Sequence, residues 1–467
     1  MPSKKLMSVL FAVVCLVGIN WFTPDMAGLT ASGKAALAVA VFAIIVWVTQ
    51  AFEDAVSGLM IIFLLAVLKA TPLAGAFSGF SNTAIWLIII GFIMAGCMEK
   101  SGLSKRIALF LINAAGGEAS KIYWAVAVVM AVLTFLVPSI TARTLLMLPI
   151  IVGIGQAFNA KQGQSNIMKG LLFIVCMSGT MMSIGVLTGH VGNPITAGLI
   201  QAATKQTVSW SMWFEVGGPP AFVLAFLSVY VILKIWPPEI KKLGQGQEYI
   251  QKELVSLGKL SKQEVYTFVV FMVTLVLWAT DSLHKVDVVV VGLLSILLLL
   301  WPSTGVMGWK EAQQKVPWNV FILYGAGLSM GTALVSSGAA KWLAGTMLSP
   351  IANMPHTVQI ILLIWLVTGL QIFFTGGGPK TTALTPIVIA HAVTIGADPM
   401  VFALILGMNM QHQYLLPVSN MPNAVAMGSG HITTAELIKT GAVMSVLGAV
   451  FMSLMVLTYW KWIGVVQ

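Results

Sequence analysis

Arginine occurs only twice in this chain of 467 residues, as Arg106 and Arg143, and only the first stands among other charged residues. Arg143 lies in an apolar run, within Ser139-Ile140-Thr141-Ala142-Arg143 and just after Val137-Pro138. Lys380 follows Thr375-Gly376-Gly377-Gly378-Pro379 in a second apolar run, in the other half of the chain. Placing arginine or lysine at the centre of a bilayer costs about 2.5–3.5 kcal/mol on insertion scales, so such a residue signals function unless it pairs with an acid or snorkels to an interface. Acidic residues are scarce in both runs. Two inward cations suit an anion bearing two carboxylates, with Arg offering a bidentate fork and Lys a compact point charge. The breaks add donors. Each precedes a new helix whose first N–H groups and positive dipole end favour an anion. Gly376, Gly377 and Gly378 let backbone amides approach closely, and Ser139, Thr141, Thr375 and Thr381 add hydroxyls.

A second pair of breaks is Gly189-His190-Val191-Gly192-Asn193-Pro194 and Pro417-Val418-Ser419-Asn420-Met421-Pro422-Asn423. Prolines there remove backbone donors and interrupt the helix. Asn193 and Asn423 are placed alike, to satisfy freed backbone groups in the first instance and otherwise to touch the ligand. Gly189, His190, Ser419 and Pro422 are supporting or coupling positions. His412, in Gln411-His412-Gln413-Tyr414, could take part in proton coupling, but a packing histidine is the simpler reading. Asn82 reads as a helix N-terminal signal. Cys15, Cys97 and Cys176 lack metal-ligand spacing, so neither a metal site nor a cofactor is expected.

The elements that must hold these residues follow from composition. Hydrophobic residues make up 58% of the chain and charged ones 9%, against roughly 25% charged in soluble domains. The expected fold is an all-α polytopic membrane protein surrounded by lipid. Its candidate spans are 6–23, 33–50, 55–71, 82–99, 168–203, 212–236, 264–281, 286–302, 316–347, 398–430 and 437–462, about eleven in number. Two longer runs, 122–158 and 357–396, are broken midway and read as re-entrant hairpins. Lys4 and Lys5 ahead of an apolar run resemble a signal peptide, but without a clear cleavage site the first helix is read as retained. The net charge of +10 resides in short loops, where the positive-inside rule expects it, so no nucleic-acid partner is implied. Orientation by charge puts the N-terminus and the lysine-rich segment 237–263 in the cytoplasm and the C-terminus outside. That places the chain in the cell membrane, the inner membrane in a Gram-negative organism.

The chain also repeats. GFIMAGCMEKSGL and GLSMGTALVSSGA, the two hairpin breaks, the two proline-marked breaks, and VSWSMWFEVGG with ITTAELIKTGA recur in the same order and at nearly constant separation. They pair Gly91 with Gly327, Arg143 with Lys380, Asn193 with Asn423 and Gly217 with Gly441. This divides the chain into an N-terminal repeat (1–236) with scaffold helices and the first hairpin, a linker (237–263), and a C-terminal repeat (264–467) with the second hairpin. With the orientation above, the copies are inverted, an architecture of secondary transporters with substrate at the midplane.

On residues 82–106, the hairpin tips, Gly189–Asn193, Pro417–Asn423, Gly217 and Gly441, the chain resembles the divalent anion/Na⁺ symporter family of dicarboxylate, citrate and tartrate carriers. The resemblance implies a homodimer, a Ser-Asn-Thr motif at each tip that holds carboxylates and helps bind sodium, and an unwound segment that completes each sodium site. Ser139 and Thr141 keep the first motif, but Ile140 replaces its Asn, and Gly376, Gly377 and Gly378 replace the second. Ile140 and Gly377 offer no side-chain oxygen to a hard cation. The expectation is therefore a secondary carrier of C4-dicarboxylate, tartrate, citrate or 2-oxoglutarate type that exchanges anions without sodium, with Arg143 and Lys380 replacing sodium charge. Sodium- or proton-coupled symport of a dicarboxylate or sulfate is the alternative, and an anion channel or membrane-complex subunit the alternative of another class. An enzyme is not expected: HExxH does not occur, and acidic residues inside the spans are too few for a metal or an acid/base pair; without GxxxxGK[ST], ATP-driven transport is not expected either.

Overall fold

The computed structural model describes residues 2–24, 28–374 and 376–466. Among them the regular structure is helical, with a single isolated antiparallel bridge between Glu118 and Lys242. Helices α1 (Pro2–Val17), α2 (Ala31–Thr49) and α3 (Asp54–Val67) lead through a short α4 (Leu73–Ala76) to α5 (Thr83–Ser101) and α6 (Leu103–Asn113). The first hairpin is α7 (Ala119–Leu136) and α8 (Ile140–Ala157). Next come α9 (Asn166–Phe173), continued by a π turn into α10 (Gly179–Ile184), then α11 (Gly192–Thr204) and α12 (Trp210–Ile235). The linker contains α13 (Gln245–Ser256), a helix its polarity did not announce. The chain continues through α14 (Lys262–Ala279), α15 (Asp281–His284), α16 (Val288–Leu299), α17 (Trp309–Lys315), α18 (Trp318–Ser336) and α19 (Ala339–Met347). The second hairpin is α20 (His356–Gly369) and α21 (Gly377–Thr394), followed by α22 (Pro399–Met410), α23 (Met421–Gly428), α24 (Thr434–Leu457) and α25 (Tyr459–Trp462).

Among the described residues, ten helices are long and apolar enough to cross a membrane, and four shorter apolar ones accompany them. Of the eleven or so expected spans three divide, two of them at the proline-marked breaks expected there. The runs 168–203 and 398–430 each split into two helices, and 316–347 splits into α18 and α19 at Gly338. Pro194 and Pro422 lie in the first turns of α11 and α23 rather than at the points of interruption, a position where the missing N–H costs nothing.

Residue pairs that match in the repeat adopt matching conformations. Gly102 joins α5 to α6 at φ 80°, and Gly338 joins α18 to α19 at φ 79°, the left-handed region glycine enters without penalty. Pro149 and Pro386 lie inside α8 and α21. Three apolar cores hold the helices, the smallest made of Ile85, Ile88, Ile195, Leu199 and Leu328. Another, including Ala36, Phe42, Ile61, Leu65, Ala326 and Met330, joins α2, α3 and α18. The largest runs through both hairpins and the broken helices.

Charged residues concentrate at helix ends. Arg106 forks onto Glu264 (Nε–Oε1 2.6 Å, Nη2–Oε2 3.2 Å) and also donates to the carbonyls of Leu257, Gly258 and Lys259. Lys105 pairs with Glu253 at 2.8 Å, Lys315 with Glu99 at 2.9 Å and Lys100 with Glu311. Of the two arginines, one is thus spent on a carboxylate near the linker.

Candidate functional site

The first hairpin turns because Pro138 forces its predecessor out of the helical region; Val137 is extended at φ −124°, ψ 96°. Ser139 is extended too, and its Oγ accepts from Ala142 N at 3.2 Å, capping α8. One turn later Arg143 is fully buried. Its Nε donates to Ser139 O (3.4 Å), Nη1 to Thr134 Oγ1, and Nη2 to both Ser183 Oγ and Gly189 O (2.8 Å each). The guanidinium therefore ties the hairpin tip to the end of α10 and to the first break. Every one of these acceptors is neutral, so among the described residues no carboxylate cancels its charge.

The breaks are built alike. Where α10 stops, Asn193 Nδ2 donates to the carbonyls of Ser183 (2.9 Å), Ile184 (3.3 Å) and Val186 (2.8 Å), groups that lack their regular helical partners and otherwise accept from Val186 N, Trp213 Nε1 and Gly189 N respectively. Asn423 Nδ2 donates to Gln413 O (3.4 Å) and Leu416 O (3.2 Å). These precede Asn423 by the same intervals along the chain as Ser183 and Val186 precede Asn193. Both asparagines thus serve the broken backbone, while their Oδ1 atoms are buried without a partner among the described residues. Replacing either by alanine is expected to destabilise the purified protein by about 0.5–1.5 kcal/mol per hydrogen bond lost. Asn193→Ala should cost more, having three bonds to lose rather than two longer ones; thermal unfolding in detergent that ranks Asn423→Ala lower would contradict this.

The second hairpin is made differently. Thr375 lies outside the described residues. Gly376 caps α21 at φ 104°, ψ 145°, a conformation closed to other residues. A Cβ on Gly377 would come within 2.0 Å of Gln411 Oε1, and one on Gly378 within 2.1 Å of Tyr324 Cε1. The glycines thus admit protein side chains, where the sequence suggested only the approach of an anion. Lys380 is fully buried one turn into α21, as Arg143 is in α8. Among the described residues its Nζ reaches one acceptor, Val367 O, at 3.5 Å.

Two side chains bring the halves together. His190 accepts from Gly192 N through Nδ1 (3.1 Å), and its Cε1 lies 3.5 Å from the Cβ position of Gly377. Gln411 donates to Thr381 Oγ1 (2.8 Å) and Gly407 O (3.4 Å) and also abuts Gly192. Gln411 and Tyr324 are site residues that sequence reasoning did not select. The polar run Gln411–Tyr414 drew notice, but neither contact follows from local pattern. Thr141 is half-buried near the tip, Ser419 is buried with Oγ unpartnered among the described residues, and Pro422 opens α23. His412 instead bonds Tyr414 Oη at 2.8 Å through Nδ1, inside the second break.

A bundle of membrane-length helices in which two broken hairpins meet two broken helices defines a polytopic transporter fold. The chain belongs to the divalent anion/Na⁺ symporter family: the model described as the sodium:sulfate symporter transmembrane region matches residues 3–466. It is 30% identical to a membrane protein of Cupriavidus necator, over 99% of this chain and 94% of that one. It is 28% identical to the sodium-dependent dicarboxylate transporter SdcS of Staphylococcus saprophyticus, over 93% and 87% of the two chains. It is also 28% identical to the L-tartrate/succinate antiporter of Escherichia coli, over 85% and 82%. In fold it is similar to the Neisseria gonorrhoeae MtrF efflux pump, with a TM-score of 0.60 at 14% identity over 97% of this chain and 94% of that one. The Alcanivorax borkumensis YdaH transporter gives 0.59 at 15% identity over 86% and 89%.

Proposed function

We propose that the protein exchanges small dicarboxylate anions across the membrane without sodium. The observation that carries this reading is Arg143, whose guanidinium already holds Thr134 Oγ1, Ser183 Oγ and the Gly189 and Ser139 carbonyls. These oxygens are the kind a hard cation would take, at the tip and break where the family resemblance places a sodium site. A permanent charge fills the role of the ion. Lys380 occupies the matching position of α21. An empty carrier would then move two uncompensated cations through a low-dielectric path, which is costly; a bound dianion cancels both. With both cations charged, return is therefore favoured only when loaded, which is exchange. Ser139, Thr141, Gly376, Gly377, Gly378, Asn193 and Asn423 would surround the anion, with the first turns of α8 and α21 directing N–H groups and dipoles toward it.

The two repeats would have opposite orientation, with both hairpins re-entrant, the N-terminus cytoplasmic and the C-terminus outside. In support, the six ion pairs and the Glu118–Lys242 bridge all fall at ends assigned to the cytoplasm. The contacts of Thr30 with Ser337, Trp210 with Asp281, and Tyr459 with Glu215 fall at the opposite face. The E. coli relative named as an antiporter and the staphylococcal relative named as sodium-dependent give the test its two arms. In proteoliposomes, labelled succinate or L-tartrate uptake should rise at least tenfold with the same anion inside and stay unchanged when choline replaces sodium. Collapse of uptake on removing sodium, with counter-anion present, would refute exchange.

A further inference from the structure

Arg143 and Lys380 stand at equivalent positions but in unequal surroundings. Arg143 has four bonds to oxygen. In the register that pairs Asn193 with Asn423, two of its partners, Ser183 and Gly189, correspond to Gln413 and Ser419. Both are buried, and Gln413 Nε2 and Ser419 Oγ have no hydrogen-bond partner among the described residues. Asn409 Oδ1, Gln411 Oε1 and Asn423 Oδ1 are likewise unpaired, so five of the eight such atoms cluster in the second half's break. Native proteins leave few buried polar groups unpaired, and a cluster of them marks a place for a water or ligand. Lys380 is buried beside this break, with one acceptor at 3.5 Å among the described residues. A buried ammonium lacking a counter-charge and acceptors is expensive, and lysine, unlike arginine, can relieve that cost by losing its proton.

We infer that Lys380 carries a proton as a second cargo, so that the protein also performs net, proton-coupled anion transport; this rests on the carrier reading above. With the dianion bound, Lys380 is an ammonium and the loaded site sums to zero charge with Arg143. On release, the ammonium gives its proton to the side that received the anion and becomes a neutral amine. The empty site then carries only the charge of Arg143, and it returns without a counter-anion. One turn of this cycle moves one dianion and one proton together. The groups facing Lys380 allow this, since none is a carboxylate. They are His412, within electrostatic range, with Tyr414 bonded to it, from the second break; His190 against Gly377; and Tyr324 of α18 against Gly378. Asp54 of α3 is within electrostatic range of Tyr324. Of the other charged residues on elements packed against α21, Lys34 of α2 donates to Thr23 O, and Lys341 of α19 is exposed. His391, on α21 itself, bonds Gln359 at 2.6 Å.

The test uses proteoliposomes of the full chain containing buffer and a pH dye but no anion, with labelled succinate and L-tartrate outside. Acidifying the outside by two pH units should drive net uptake, with the lumen gaining about one proton per dianion, and a protonophore should abolish the accumulation. Lys380→Arg, which keeps the charge but cannot give up the proton, should lower net uptake relative to exchange at least tenfold. Net uptake without proton entry, absence of pH-driven uptake in the wild type, or an unchanged ratio in Lys380→Arg would each overturn the inference. Loss of stimulation by internal anion in the wild type, with proton-linked uptake retained, would instead overturn exchange and leave proton coupling standing.

Discussion

Arg143→Ala is expected to abolish transport, lowering labelled-anion exchange at least a hundredfold. The change removes the guanidinium donors that join Ser183 Oγ, Gly189 O and Thr134 Oγ1 across the hairpin tip and the first break. Ser183 Oγ and Thr134 Oγ1 keep their own bonds to Gly179 O and Met130 O, but Gly189 O loses its one donor among the described residues, which costs about 1–3 kcal/mol, so a lower unfolding temperature should accompany the loss. Arg143→Lys separates charge from geometry. It keeps the positive charge, but a single ammonium cannot span acceptors that the planar fork reaches on different nitrogens. Stability should recover in part while exchange stays at least tenfold below wild type. Exchange at the wild-type rate in Arg143→Ala would dispose of the fixed-cation idea altogether.

Gly378→Ala should cut exchange nearly as deeply, for a steric reason. The new Cβ would sit 2.1 Å from Tyr324 Cε1 and 2.3 Å from its Oη, so the tip of α21 could no longer seat against α18. Removing the hydroxyl alone cannot relieve this, because the ring carbon is the closer atom. Tyr324→Ala in the Gly378→Ala background should therefore restore at least a tenth of wild-type exchange, whereas Tyr324→Phe should not. A fully active single Gly378→Ala variant would mean the tip does not close there. Gly377→Ala should be milder, since its obstruction is the far end of the flexible Gln411 side chain.

How much of this could be read from the chain depended on whether the signal was local. Hairpin breaks at Pro138 and the glycine triplet, the burial of Arg143 and Lys380, and the recurrence of one half's landmarks in the other all rest on residue type and spacing. The donor role of Asn193 and Asn423 toward backbone was also legible, because an interrupted helix must leave carbonyls to satisfy. What packs across from each break was not. That Gln411 and His190 both reach Gly377, and that Tyr324 fills the space before Gly378, are facts of tertiary placement between segments far apart in the chain. The division of 316–347 at Gly338 was missed for a related reason: hydropathy counts apolar length and does not register one residue of left-handed backbone inside it.

The segment joining the two copies is firmly attached on one side. Arg106 grips three consecutive carbonyls, 257–259, Lys105 holds Glu253, Gln247 bonds Asn113, and Lys242 pairs as a bridge with Glu118. All of those anchors come from α6 or the loop that follows it. The linker therefore braces α6 and the loop that leads into the first hairpin. Arg106 reaches past Leu260 as well, to Glu264 in the first turn of α14, so one side chain holds the last residues of the linker and the first turn of the helix that follows to the same point on α6.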